Sequence, residues 1–229
     1  MKILVISDIH GKKEKINLIK EEAGKADLVI FGGDFCDITN PDSGDEILKE
    51  LLHCNENLFA VIGNHDEIDF KDTLEQYDVS IEGSLSSFGG LLFTGSGGAT
   101  PFSNDTPNER SEDCIVGDLK QVLSSDSGGG DRAWSNLVLV VHNPPFGTDC
   151  DKIPGDIHVG SKLLRNYIEE IKPVLVVTGH IHESQGISKI GETFVINPGA
   201  LAAGEFACVY ISPDGKSKWN VEKIDLMKK

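Results

Sequence analysis

KILVISDIH (2–10) is an apolar run without alternation that stops at an acid and a histidine one residue apart. A strand with one wet face would alternate apolar and polar residues. An unbroken, β-branched run marks a strand buried on both faces. The same form recurs in DLVIFGGD (27–34), LFAVIGNHD (58–66), LVLVVHNPP (137–145) and VLVVTGH (174–180), each ending in small or polar residues. Helix-like stretches lie between the first three runs, at 13–24 and 43–54, and later at 112–124 and 160–171. The last starts near Ser161 and stops before Pro173, as helix punctuation requires. Strand and helix in alternation predict an α/β protein with a largely parallel sheet.

The C-terminal third reads differently. ETFVINPG, FACVYIS and KWNVEKI are short strands joined by turns such as SPDGK (212–216), and SSFGGLLFTGSGG (86–98) reads as a hairpin turning at Gly89-Gly90. These strands predict a second, mixed or antiparallel sheet packed on the first. Two loops are long, 96–111 and 143–159, and SSDSGGGD (124–131) reads as a flexible surface turn. No repeat or linker appears, so residues 1–229 are expected to form a single domain.

Composition narrows the partners. Lys+Arg 21 against Asp+Glu 37 leaves a net charge of −16, which disfavours an extended nucleic-acid groove. No apolar run approaches the roughly 20 residues that span a bilayer, and the N-terminus lacks a small-residue cleavage site. Five scattered cysteines without a CxxC pair suggest reduced thiols in a cytoplasmic protein.

The polar residues that matter all follow apolar runs. They are Asp8 and His10; Asp34 and Asp37 after Gly33; Asn64, His65 and Asp66 after Gly63; His142; and His180 and His182 after Gly179. In open α/β sheets, ligands bind beyond the carboxyl ends of strands. If the strands share a sheet, Asp8, His10, Asp34, Asn64, His142, His180 and His182 converge. Taken singly, a DxH pair or an aspartate after two glycines is commonplace in turns and caps. Jointly they make one nitrogen- and oxygen-rich site without cysteine, a donor set for Mn, Fe, Zn or Ni and not for a thiolate structural zinc site.

The order DxH, GDxxD, GNH[DE], H, GHxH resembles the calcineurin-like metallophosphoesterase superfamily, with no motif missing between Asp8 and His182. HNPPFGT, GDIHVGS and GHIHE are further similar to its small single-domain prokaryotic, Icc-like members. The resemblance implies a four-layer α/β/β/α sandwich of two mixed β-sheets flanked by helices. It also implies two divalent metal ions. Asp8, His10 and His182 would hold the first, Asn64, His142 and His180 the second, and Asp34 would bridge them. Such a pair can activate a hydroxide for in-line attack on phosphorus. His65 would be no ligand but the acid that protonates the leaving group, and Asp37 would hold its ring; the alternative for Asp37 is a turn cap. Asn197-Pro198-Gly199 reads as a structural turn, and Asp156 and His158 as part of a solvated loop.

The family's protein phosphatases continue GDxxD with Arg-Gly, but here Ile38-Thr39 follow Asp37. Without that phosphate-clamping arginine, a singly charged diester is favoured over a dianionic monoester. The expected substrate is a small-molecule phosphodiester, cyclic or linear nucleotides among them. A phosphomonoesterase and a non-catalytic scaffold of the same fold are the alternatives.

Overall fold

A computed structural model describes residues 1–102, 105–126, 134–215 and 218–229. The first half runs β1 (Lys2–Ile6), α1 (Lys20–Lys25), β2 (Leu28–Phe31), α2 (Ser43–Cys54), β3 (Leu58–Ala60), α3 (Phe70–Gln76), β4 (Ser86–Phe88), β5 (Leu91–Ser96) and α4 (Glu112–Asp126). The second half runs β6 (Leu137–Val141), β7 (Lys152–Ile153), β8 (Ile157–His158), α5 (Lys162–Ile171), β9 (Leu175–Val177), β10 (Gly186–Ile190), β11 (Thr193–Asn197), β12 (Glu205–Pro213) and β13 (Trp219–Lys228).

Two large sheets form among the described residues. The first has the order β13-β12-β1-β2-β3, the second β10-β11-β9-β6-β5-β4, and β7 pairs with β8 in a small hairpin. β1, β2 and β3 are parallel, as are β11, β9, β6 and β5. β12, β13, β10 and β4 add antiparallel neighbours.

The layers follow from alternation along each strand. Leu4 and Ile6 of β1 pack with Ile47, Leu48 and Leu51 of α2. Ile3 and Val5, pointing the other way, join Val138, Val140 and Val177 of the second sheet. On the far side Leu137, Leu139 and Val176 meet Ile115 and Leu119 of α4 and Leu164 and Ile168 of α5. Both faces of each central strand are therefore covered, which is why the runs show no polar alternation. This is the expected four-layer α/β/β/α sandwich. Each such buried aliphatic side chain contributes roughly 1.5–3 kcal/mol.

Two expectations change. The runs that end in the polar residues do not share one sheet: β1, β2 and β3 lie in the first, β6 and β9 in the second. Nor do the C-terminal strands build a sheet of their own, since β10 and β11 join the second sheet and β12 and β13 the first. A doubly buried strand presents apolar side chains to both faces, so its composition does not name its neighbour.

Local readings fare as their physics suggests. Ser161 caps α5, accepting from Leu164 N at 3.0 Å, and Lys172 closes it in the left-handed region before Pro173. Gly89 and Gly90, both with positive φ, turn the β4–β5 hairpin. The expected helix 13–24 divides into a 3₁₀ turn, Lys13–Leu18, and α1. α3 was not expected; Phe70 and Leu74, four apart and buried, are its only apolar signal. α4 continues to Asp126, into the segment expected as a flexible turn, and the rest of that segment lies outside the described residues. All five cysteines are unpaired. Among the described residues no helix is long and apolar enough to cross a membrane.

Candidate metal centre

The carboxyl ends of β1, β2 and β3 meet those of β6 and β9 at one edge of the sandwich. Backbone hydrogen bonds join the turns. Asp8 N donates to Gly33 O (2.9 Å), His10 N to Asp34 O (3.1 Å) and Gly179 N to His142 O (3.0 Å). His180 N reaches across the sheets to both carboxylate oxygens of Asp8 at 3.2 Å. Asp8, His10, Asp34 and His180 all have positive φ, a conformation that costs non-glycine residues about 1–3 kcal/mol each and collects at functional sites. The glycines of the motifs permit close approach. A Cβ on Gly63 would collide with the Asp34 carboxylate, and one on Gly179 with Ser7 Oγ and Asp8.

All seven expected ligands come together. His10 Nε2 lies 3.0 Å from His182 Nε2, and His182 Nε2 3.2 Å from Asp8 Oδ1. Asp34 Oδ2 lies 3.6 Å from His10 Nε2 and 3.4 Å from His142 Nε2, between the two sets. Asn64 Oδ1 faces His142 Nε2 at 3.0 Å and His180 Nδ1 at 2.8 Å. Asp8, His10, Asp34 and His182 each present one donor atom within 4.8 Å of the others.

This donor set fits divalent cations. Two imidazole nitrogens 3.0 Å apart cannot both carry a hydrogen, whereas a shared cation uses both lone pairs. All ligand atoms are nitrogen or oxygen, suiting borderline to hard divalent ions. His142 Nδ1 sits 2.7 Å from Gly32 O, an outer hydrogen bond that leaves Nε2 as the ligating atom.

Charge within the cluster is paired. Burial opposes charge on His142, yet Asp34 and Asp8 beside it override this and raise the imidazole to about 9. Burial, with His142 alongside, lowers His180 to about 4. Burial also depresses His10, against the pull of Asp34 and Asp8. The hydrogen bond to Asp8 lifts His182. Asp34 is held far below the carboxylate range, because His142, His10 and His65 outweigh its burial. Cation binding must displace the protons these pairs hold.

His65 stands at the edge of the cluster. Its N–H donates to Asp34 Oδ1 at 2.8 Å, and its ring meets that of His10 edge-on at 4.8 Å. Asp37, expected to hold the His65 ring, closes a turn instead. Its Oδ1 accepts from Thr39 N at 2.7 Å and Thr39 Oγ1 at 2.6 Å, and no hydrogen bond joins it to His65 among the described residues. An aspartate two residues before a threonine satisfies that turn locally, and His10 and His65 act on the Asp37 carboxylate through charge, behind the Thr39 hydrogen bonds.

Four supporting residues were not anticipated. Asp66, fully buried, accepts from Gly63 N (2.8 Å), Asp34 N (3.0 Å) and Cys36 N (2.8 Å), locking the β2 and β3 turns together. Its place in GNHD was the available signal. Asn108 donates to Gly63 O (3.0 Å), and Asn143 Oδ1 accepts from Thr100 N (3.0 Å), so the two long loops are tied to the site. Asp151, also buried, accepts from Gly147 N, Thr148 N, Gly160 N and His158, organising the loop that follows His142. The asparagines and Asp151 sit in polar loops where composition gives no such signal. Asn197 has the structural role expected, donating to Ile181 O at 2.9 Å beneath the His180–His182 turn. Asp156 is solvent-exposed.

The histidine and carboxylate cluster at the strand ends of this α/β/β/α sandwich is a candidate metal site. The chain belongs to the calcineurin-like phosphoesterase family, whose model matches residues 1–184, and is thereby a hydrolase acting on phosphate esters. It is 34% identical over 204 residues to the uncharacterized protein MJ1162 of Methanocaldococcus jannaschii, across 86% of this chain and 88% of that one. Among solved structures, TT1561 of Thermus thermophilus matches with a TM-score of 0.73 at 17% identity, over 99% of this chain and 98% of that one. A dimetal phosphatase from Danio rerio matches at 0.56 with 12% identity, over 92% of each chain. The last two likenesses concern the fold.

Proposed function

We propose that this protein is a dinuclear phosphodiesterase for small molecules. The observation that carries the two-cation reading is the position of Asp34. One of its oxygens lies 3.6 Å from a histidine of one ligand set and 3.4 Å from a histidine of the other. Asp8, His10 and His182 would hold one cation, Asn64, His142 and His180 the other, with Asp34 placed to serve both. When bound, the pair supplies Lewis acidity toward the ester and makes water a nucleophile near neutral pH. His65 gives its proton to the departing oxygen, a role worth about 10²–10⁴-fold, with its backbone fixed by Asp34.

The preference for diesters rests on the arginines. Arg110 is held by Asp118 at 2.8 Å and by Ser96 and Gly97, and Arg165 by Glu169 at 2.7 Å and by Phe146 O. Neither of these two, the arginines among the described residues, is free to clamp a dianionic phosphate, and Ile38-Thr39 occupy the place of the phosphatase Arg-Gly. A single negative charge demands less cationic help. The net charge of −16 favours a small substrate over extended nucleic acid.

The test is hydrolysis of bis-p-nitrophenyl phosphate and p-nitrophenyl phosphate by Mn²⁺-loaded protein, with a chelated control. Metal-dependent cleavage with the diester faster is the expected result. Cleavage of the monoester alone would move the assignment to phosphomonoesterase.

A further inference from the structure

We propose that Phe102 is an aromatic platform for the organic part of the substrate, a flat ring such as a nucleobase or an aryl group carried by the phosphoester. The inference rests on the phosphoesterase reading of the site and names the substrate class within it.

Phe102 is 86% exposed, more than any other large hydrophobic side chain described. Single exposed apolar side chains are ordinary on protein surfaces; what sets Phe102 apart is the loop that carries it. Its position ties it to the metal centre. Just before it, Thr100 donates through both N and Oγ1 to Asn143 Oδ1, at 3.0 and 3.1 Å, and Asn143 directly follows His142. The same segment returns at Asn108, whose N–H donates to Asn64 O at 3.1 Å and whose side chain donates to Gly63 O at 3.0 Å. Ala99 closes the neck, donating to Asn108 O and accepting from Arg110 N. Both feet of the loop thus stand on turns that carry ligands of one cation, Asn64 and His142.

Two residues of chain span at most roughly 7 Å, so Phe102 stays close to that anchor. Pro101 fixes its own φ immediately before Phe102 and reduces the freedom of the approach. The other aromatic residue of these loops is already engaged. Phe146 packs against His158 with ring centroids 5.6 Å apart, and Lys162 sits 5.0 Å over its ring. Phe102 has no ring partner among the described residues.

Stacking suits this chain for an electrostatic reason. A surface with net charge −16 repels an anionic ester, and stacking supplies affinity that needs no cation. Every nucleobase offers a π-face, so the platform discriminates ring from no ring more than one base from another.

The experiment compares the wild type with Phe102→Ala, Phe102→Leu and Phe102→Trp on two phosphodiesters, one bearing a nucleoside or aryl group and one bearing only alkyl groups. Removal of the ring should raise the ratio of KM for the ring-bearing ester to KM for the alkyl ester by about 10-fold. Leu should behave like Ala, because its side chain is apolar without a π-face, and Trp should restore the ratio. An unchanged ratio in both Ala and Leu variants overturns the proposal. A second readout needs no turnover: the extra Trp fluorescence of Phe102→Trp, relative to the wild type, should be quenched saturably by a nucleoside 5′-monophosphate. Saturable quenching without hydrolysis of any ester would leave the platform standing and overturn the phosphoesterase reading. Hydrolysis with neither quenching nor a shift in the KM ratio would do the reverse.

Discussion

The two groups of side chains that meet at Asp34 are built on different principles. The half formed by Asp8, His10 and His182 is rich in charge and open, with 44% of the His182 side chain exposed. The half formed by Asn64, His142 and His180 is poor in charge and closed. His142 is fully buried and its oxygen partner Asn64 is neutral. Asp34 lies between them, 3.6 Å from His10 and 3.4 Å from His142. The contrast is one of charge and of histidine exposure, since Asp8 is as buried as Asn64, at 1% and 4% exposed, and is held by the His180 N–H and by His182. The neutral group relies on fixed geometry, supplied by Asp66, Asn108 and the Gly32 carbonyl.

The harshest test of this contrast is Asp34→Asn. Loss of the shared carboxylate should abolish both bound cations and all turnover, measured as metal per chain after gel filtration and as diester hydrolysis. His65→Ala should keep both cations and lower turnover by about 10²–10⁴-fold. Equal metal loss in the two variants would make His65 a ligand and dissolve the boundary between site and acid.

Next in size is a stability comparison on metal-free protein. His142→Ala removes a buried imidazole that joins Gly32, Asn64 and Asp34, and should cost about 3 kcal/mol in urea unfolding. His182→Ala removes an exposed partner of Asp8 and should cost under about 1 kcal/mol. Similar losses would mean that the open half is as structural as the closed one.

The smallest effect concerns the foundation of the closed half. Glu82 is buried and accepts from Ile62 N at 2.6 Å, one residue before Gly63. Burial raises its carboxyl above the ordinary 4.5, against the Ile62 N–H, which favours the charged form. The folded chain thus binds this proton more tightly than the unfolded one. The stability it contributes is fully present below pH 4.5 and is lost as pH rises through the folded value. Glu82→Gln keeps a neutral acceptor for Ile62 and should flatten this fall. The metal-free wild type should lose Tm relative to the variant above pH 4.5, by less than His142→Ala costs. A constant offset at all pH values would remove Glu82 from the comparison.

The sequence carried the chemistry further than the wiring. That Asp8, His10, Asp34, Asn64, His142, His180 and His182 cluster was legible, because each follows an apolar run and strand ends gather polar side chains. Asp37, expected to hold the His65 ring, hydrogen-bonds Thr39 and reaches His65 only through charge, since three residues of spacing suit a ring partner and a turn cap alike. Asp66 was quoted within GNHD yet given no role, because the three N–H groups it accepts from come from two separate turns. Asn108 and Asn143 act across 45 and 43 residues of chain, a distance that no local pattern encodes.

By itself the sequence determined the main strands and the longer helices, the covering of both faces of the central strands and the donor types of the cluster. Those properties live in short-range periodicity and in side-chain donor identity, which are fixed by the covalent chain. The tertiary structure decided which sheet each strand joined, that the ligands meet across two sheets rather than along one, and which half of the centre is buried. Strands with apolar side chains on both faces can pair with any similar neighbour. Only the packing of all four layers together selects one arrangement, and with it the exposure that separates His182 from His142.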